Sequence, residues 1–209
     1  FKGGMSSYKT TEITNTTNFK VPVGQLSIDN PDGEGERKEG VCTATVTETD
    51  TIITANHCLV GVKDTATVTF TPLMHHSSEG LTKPYGECAI VPKPTVEKDV
   101  ANDFIYLKVK TCTDENNQPT DAAIGNRTGT LKEMTFDVKT WYSDKAKNLA
   151  VSVYGYAKYD GKGNVSDGTH LYEVVTSPGG NMYKVERNVG KNVLVVKDAL
   201  EVGASGGPW

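Results

Sequence analysis

Three short patches carry residue types that together can do acyl-transfer chemistry. The first is Gly203-Ala204-Ser205-Gly206-Gly207-Pro208, a serine with glycines on both sides. Glycine has no Cβ, so the backbone can crowd a substrate carbonyl and leave amide N–H groups aimed at a developing oxyanion. The second is Ile53-Thr54-Ala55-Asn56-His57-Cys58, and the third is Asn102-Asp103-Phe104-Ile105-Tyr106-Leu107. A serine hydroxyl is a poor nucleophile until a base takes its proton. A neutral histidine does this near pH 7. A buried carboxylate then fixes the imidazole tautomer and stabilises the imidazolium as it forms. Each patch alone has a plainer reading: a glycine-rich turn, a structural histidine beside a cysteine, an acid in a turn before a strand, with Asp99 as its rival. Their joint presence in the order His57, Asp103, Ser205 favours the nucleophilic one.

These residues need short, stiff elements to hold them, and the chain supplies strands. Val21–Ser27, Val41–Val46, Thr51–Thr54, Ala66–Thr71, Glu87–Val91 and Asp103–Lys110 are β-prone runs separated by Gly, Pro, Asp and Asn turns. A second series comprises Leu149–Tyr156, His170–Thr176, Met182–Val185 and Val193–Lys197. No stretch sustains a 3.6-residue apolar period, so the class is all-β, sandwich or barrel. Thr113–Thr130 lacks alternation and reads as a linker. The expected division is an N-terminal unit over 1–118, with its N-terminal arm, and a second unit over 119–209.

Four cysteines, Cys42, Cys58, Cys88 and Cys112, include no C-x-x-C pair, so two disulfides and an oxidising compartment are expected. Two strands joined by a tight turn would bring Cys42 to Cys58. A bridge there closes a loop of about 15 residues, worth on the order of 3 kcal/mol in the chain-entropy account, and pins the backbone beside His57. The sequons at Asn15, Asn126 and Asn164 are compatible with secretion.

Thr54-Ala55-Asn56-His57-Cys58, Asn102–Leu107 and Gly203–Pro208 resemble the motifs of trypsin/chymotrypsin-type serine proteases. Thr11–Thr17, Gly24-Gln25-Leu26 and Val151–Tyr156 are similar to the V8-like branch, which includes the glutamyl endopeptidases. The resemblance implies two six-stranded antiparallel β-barrels with the site between them. It implies His57 as general base, Asp103 as orienting carboxylate and Ser205 as nucleophile, with the N–H groups of Gly203 and Ser205 as the oxyanion hole. Set against that pattern, the second barrel is expected to be incomplete within these 209 residues, with about 40 further residues in a C-terminal remainder of the same protein.

Specificity is where the sequence departs from the family. Ala204 stands where trypsin-type enzymes have the aspartate that captures a new N-terminal amine, an aspartate that the V8-like branch also lacks. The resemblance implies that the substrate pocket falls on Ala199, Leu200 and Val202. An apolar floor satisfies neither a buried carboxylate nor a guanidinium cheaply. An apolar or small residue on the acyl side of the cut is therefore expected, and no substrate-binding role for the Phe1 amine.

Several function classes fall away. Net charge is −4, which gives no electrostatic reason to expect nucleic acid or an anionic membrane. No apolar run approaches the roughly 20 residues that span a bilayer, and Phe1 precedes small polar residues rather than a signal core. An α/β-hydrolase needs the order Ser, Asp, His with strand–helix alternation, which is missing. His75-His76 reads as an exposed loop pair without a ligand at metal spacing, and His170 as structural; no metal and no cofactor are expected. The alternative kept beside an endopeptidase acting on polypeptides is a catalytically silent fold of the same kind that binds a protein partner.

Overall fold

Period-two alternation of apolar residues builds one closed core in the N-terminal half. The computed structural model describes residues 8–91, 96–99, 102–135, 137, 150–158, 166–176, 183–188, 191–196 and 203–208. Its strands are β1 (Tyr8–Glu12), β2 (Val23–Asp29), β3 (Glu39–Glu48), β4 (Thr51–Thr54), β5 (Thr67–Pro72), β6 (His75–Ser77), β7 (Gly80–Thr82), β8 (Cys88–Ile90), β9 (Ile105–Thr113) and β10 (Pro119–Thr120). After a short helix, α1 (Ile124–Thr128), come β11 (Val151–Gly155), β12 (Tyr172–Thr176), β13 (Tyr183–Asn188) and β14 (Lys191–Val196).

Strands pair in the order β9-β4-β3-β2-β5-β8, and β8 pairs back with β9, so six strands close a barrel. Leu26, Ile28, Ala44, Val46, Ile52 and Phe70 fill its interior, each at most 5% exposed. A fully buried side chain of this size contributes roughly 1.5–3 kcal/mol. The closing seam is stapled: Cys88 lies directly opposite Cys112 in the β8–β9 register, and the two are disulfide-bonded with Cα atoms 4.0 Å apart.

The second unit is also antiparallel. Its strands form a sheet β1-β12-β11 and a hairpin β13-β14. Between the units lies a second apolar cluster of Val23, Leu73, Met74, Tyr156 and Leu171. The Tyr156 hydroxyl donates to the Met74 carbonyl at 2.7 Å inside it.

Each expected strand run overlaps an observed one, with boundaries moved by a few residues. Three features depart from expectation. The N-terminal arm forms β1, and it joins β12 of the second sheet. Thr113–Thr130 is not bare linker: β10 pairs with β9, and Ile124 of α1 is 1% exposed in the first barrel's core. Elements of two and five residues leave no period to read. His75 and His76 form part of the β6–β7 hairpin, and His75 is buried with Nδ1 2.7 Å from the Leu73 carbonyl oxygen. Among the described residues, no helix is long and apolar enough to cross a membrane.

Candidate active site

His57 owes its position to what grips its neighbours. β4 ends at Thr54, and extended Ala55 leads into a single 3-10 turn over Asn56–Cys58. The Cys58 N–H donates to the Ala55 carbonyl at 3.2 Å and the Leu59 N–H to the Asn56 carbonyl at 3.0 Å. Cys58 is disulfide-bonded to Cys42 on β3, Cα atoms 6.4 Å apart. On the other side Asn56 is buried, and its Nδ2 donates to the Glu97 carbonyl at 2.8 Å.

Register brings the acid to it. β4 and β9 are antiparallel with Thr54 opposite Ile105, so the exit of one strand meets the entrance of the other. Asp103 Oδ1 accepts the His57 backbone N–H at 2.8 Å, and Oδ2 lies 2.7 Å from His57 Nδ1. A carboxylate only accepts, so Nδ1 carries the proton, and in the neutral ring Nε2 keeps its lone pair. Asp99 does not compete: its carboxylate accepts the Asn102 N–H and Nδ2 at 3.0 and 3.1 Å. The expected buried carboxylate is corrected in one respect. The Asp103 side chain is 42% exposed and that of His57 48%, because both stand at the rim of an open cleft.

The Ser205 segment is fixed from both units. The Gly207 N–H donates to the Ala204 carbonyl at 3.0 Å, and Gly206 has φ +86°, the value a type II turn needs at its third residue. A Cβ on Gly206 would sit 2.4 Å from the Thr43 carbonyl oxygen, and one on Gly203 (φ +101°) would sit 2.2 Å from that of Tyr156. These contacts are the local reason for glycines around the serine.

Thr43, on β3 and fully buried, is a residue the sequence did not single out. Its N–H donates to the Ser205 carbonyl at 2.8 Å and its Oγ1 to the Gly203 carbonyl at 2.9 Å. The same Oγ1 accepts the Tyr156 N–H at 3.0 Å, while the Thr43 carbonyl accepts Thr54 Oγ1 at 2.7 Å. One threonine thus joins the His57 strand, the Ser205 loop and the second unit. Its partners Gly203 and Ser205 lie 160 and 162 residues away, so no local pattern marks it.

His57, Asp103 and Gly206–Pro208 line one cleft of about 570 Å³. Leu131–Met134 forms another wall, anchored by the Leu131 N–H to the Val46 carbonyl at 2.9 Å. A hydrogen bond to Glu133, with some burial, pushes the Tyr106 hydroxyl up to about 12. Gly203 and Ser205 lie on the held loop, whereas Ala199, Leu200 and Val202 fall outside the described residues.

A family model described as Trypsin matches residues 25–209. A solved Glu endopeptidase in complex with MPD is 18% identical with a TM-score of 0.53, over 95% of this chain and 77% of that one. The structure of GrC is 18% identical with a TM-score of 0.55, over 95% and 81%. At this identity the likeness is one of fold. No curated protein sequence matches.

Proposed function

The chain belongs to the trypsin family of serine proteases, with the two-barrel fold of the chymotrypsin type, and from that premise we propose a secreted endopeptidase of the V8-like branch. The observation that carries the catalytic reading is the 2.7 Å contact between His57 Nδ1 and Asp103 Oδ2, in the cleft that Gly206–Pro208 also line. In this proposal His57 Nε2 takes the Ser205 hydroxyl proton as Oγ attacks the substrate carbonyl, and later gives it to the leaving amine. Asp103 stabilises the imidazolium between those events. Gly203 and Ser205 donate N–H groups to the tetrahedral oxyanion, each worth about 3 kcal/mol of transition-state stabilisation. Thr43 supports that role, because it holds the carbonyls of both residues on the first barrel.

The substrate is polypeptide, cut after an apolar or small residue. Ala199, Leu200 and Val202 support this through their composition alone. A peptide-library digest tests it; predominant cleavage after Glu overturns it. The two disulfides support an extracellular setting.

Fluorophosphonate labelling with adduct mapping tests the catalytic assignment. Modification of Ser205 that disappears in His57→Ala is the expected result. Absence of labelling in folded protein favours the silent binding module.

A further inference from the structure

The β6–β7 hairpin brings His76 to a loop of the second unit. Its Nε2 lies 2.6 Å from Thr169 Oγ1, and its ring stacks on that of His170 with centroids 3.7 Å apart and planes 6° from parallel. Thr169 donates both its hydroxyl and its N–H to Asp167 Oδ1, at 2.5 and 2.9 Å. The same Oδ1 lies 3.9 Å from His170 Nε2. His170 Nδ1 is taken by Glu12 Oε1 at 2.5 Å.

Glu12 and Asp167 thus bracket the His170 ring, one at each nitrogen. A divalent cation placed between Nε2, the Asp167 carboxylate and His76 would have its charge offset by the two carboxylates.

We propose that His76, Asp167 and His170 form a site for a divalent transition metal, Zn²⁺ by donor chemistry, with Glu12 as the carboxylate that orients His170 from behind. One ligand atom from each of the three lies within 4.8 Å of the others. Two imidazoles and one carboxylate are a zinc set, with a fourth position for water, whereas Ca²⁺ and Mg²⁺ prefer all-oxygen sites. A histidine whose far nitrogen is bonded to a carboxylate is the usual companion of such a ligand. Bonds of about 2.0–2.2 Å require the three to draw closer and one imidazole to turn out of the stack, because parallel rings 3.7 Å apart cannot both aim a nitrogen lone pair at one ion. The Asp167 side chain, 63% exposed, has room to turn. The Thr169 hydroxyl already bridges the two groups a metal would bridge. None of these residues lines the cleft. Bound metal would tie β1, the β6–β7 hairpin and the loop before β12 together, acting on stability.

The test uses the whole chain after chelator dialysis, titrated with ZnCl2 by calorimetry and with CoCl2 by visible absorption. One ion per chain at this site is expected, with a Co²⁺ spectrum of tetrahedral intensity. His76→Gln and His170→Gln should each weaken binding at least ~10-fold, and Glu12→Gln ~10–100-fold with stoichiometry retained. His57→Gln should leave binding at this site unchanged. No binding to the parent protein, binding unchanged in His76→Gln, or loss only in His57→Gln overturns the proposal. If a variant fails to fold, histidine-selective NMR of the parent decides. Zn²⁺ must move the ring signals of His76 and His170, and signals that stay in place overturn the site.

Discussion

The Thr43 hydroxyl donates to the Gly203 carbonyl at 2.9 Å, between residues 160 positions apart in the chain. Because that oxygen also accepts the Tyr156 N–H, removing it strands a donor and an acceptor together in a buried site. Thr43→Val preserves shape and strand preference and deletes only the oxygen. It should cost about 1–3 kcal/mol per stranded group, read by urea denaturation. The loosened Ser205 loop should lower kcat more than it changes KM. Unchanged kinetics in a folded variant would detach Thr43 from the loop's geometry.

Asp103 and Asp99 separate by role. Asp103→Asn keeps the shape of the side chain but lets the imidazole settle in the wrong tautomer, for which a drop of about 10⁴ in kcat is typical. Asp99→Asn weakens only the turn that holds Asn102 and should leave kcat within a few-fold of the parent. Steady-state hydrolysis of one peptide substrate by both variants is the measurement. Equal losses would contradict the assignment.

Alkaline pH should find Tyr156. Its full burial raises the hydroxyl well above the ordinary 10.0. The unfolded chain releases this proton near 10 while the folded chain keeps it. The contribution is therefore complete below pH 10 and is lost as pH rises toward the folded value. Tyr156→Phe should remove this part of the alkaline slope. It should also cost about 1–3 kcal/mol at neutral pH, since the Met74 carbonyl loses its donor. Stability measured on both sides of pH 10 resolves the two effects.

The two disulfides should differ in what their loss damages. Cys88→Ala with Cys112→Ala opens the barrel seam, far in sequence from His57. About 3 kcal/mol of stability is expected to go, with kcat retained in the folded fraction. Cys42→Ala with Cys58→Ala should cost a similar amount but also reduce kcat, because Cys58 adjoins the catalytic candidate. Activity per folded molecule, from active-site titration, distinguishes them.

Local chemistry made part of this molecule readable in advance. His57 stands out because a cysteine follows it and a β-prone run precedes it. Ser205 stands out because positive φ and tight backbone contacts force glycines around it. Alternation revealed the barrel strands, since one face of each is buried. By contrast, β10 and α1 are too short to show a period, and burial of Ile124 depends on the distant β3–β4 hairpin. His75-His76 looked like a surface pair because adjacent side chains diverge, yet the hairpin buries one and stacks the other on His170.

By itself the sequence determined which groups are available: a glycine-framed serine, a cysteine-flanked histidine, an acid at a strand entrance, and apolar runs of period two. Those features follow from bonding and sterics within a few residues. Tertiary structure decided which of them meet. It chose Asp103 over Asp99 for His57, gave Thr43 its hold on Gly203 and Ser205, and gathered Glu12, His76, Asp167 and His170. Each of these contacts joins segments whose separation along the chain says nothing about their distance in space, because strand register and barrel closure set that distance.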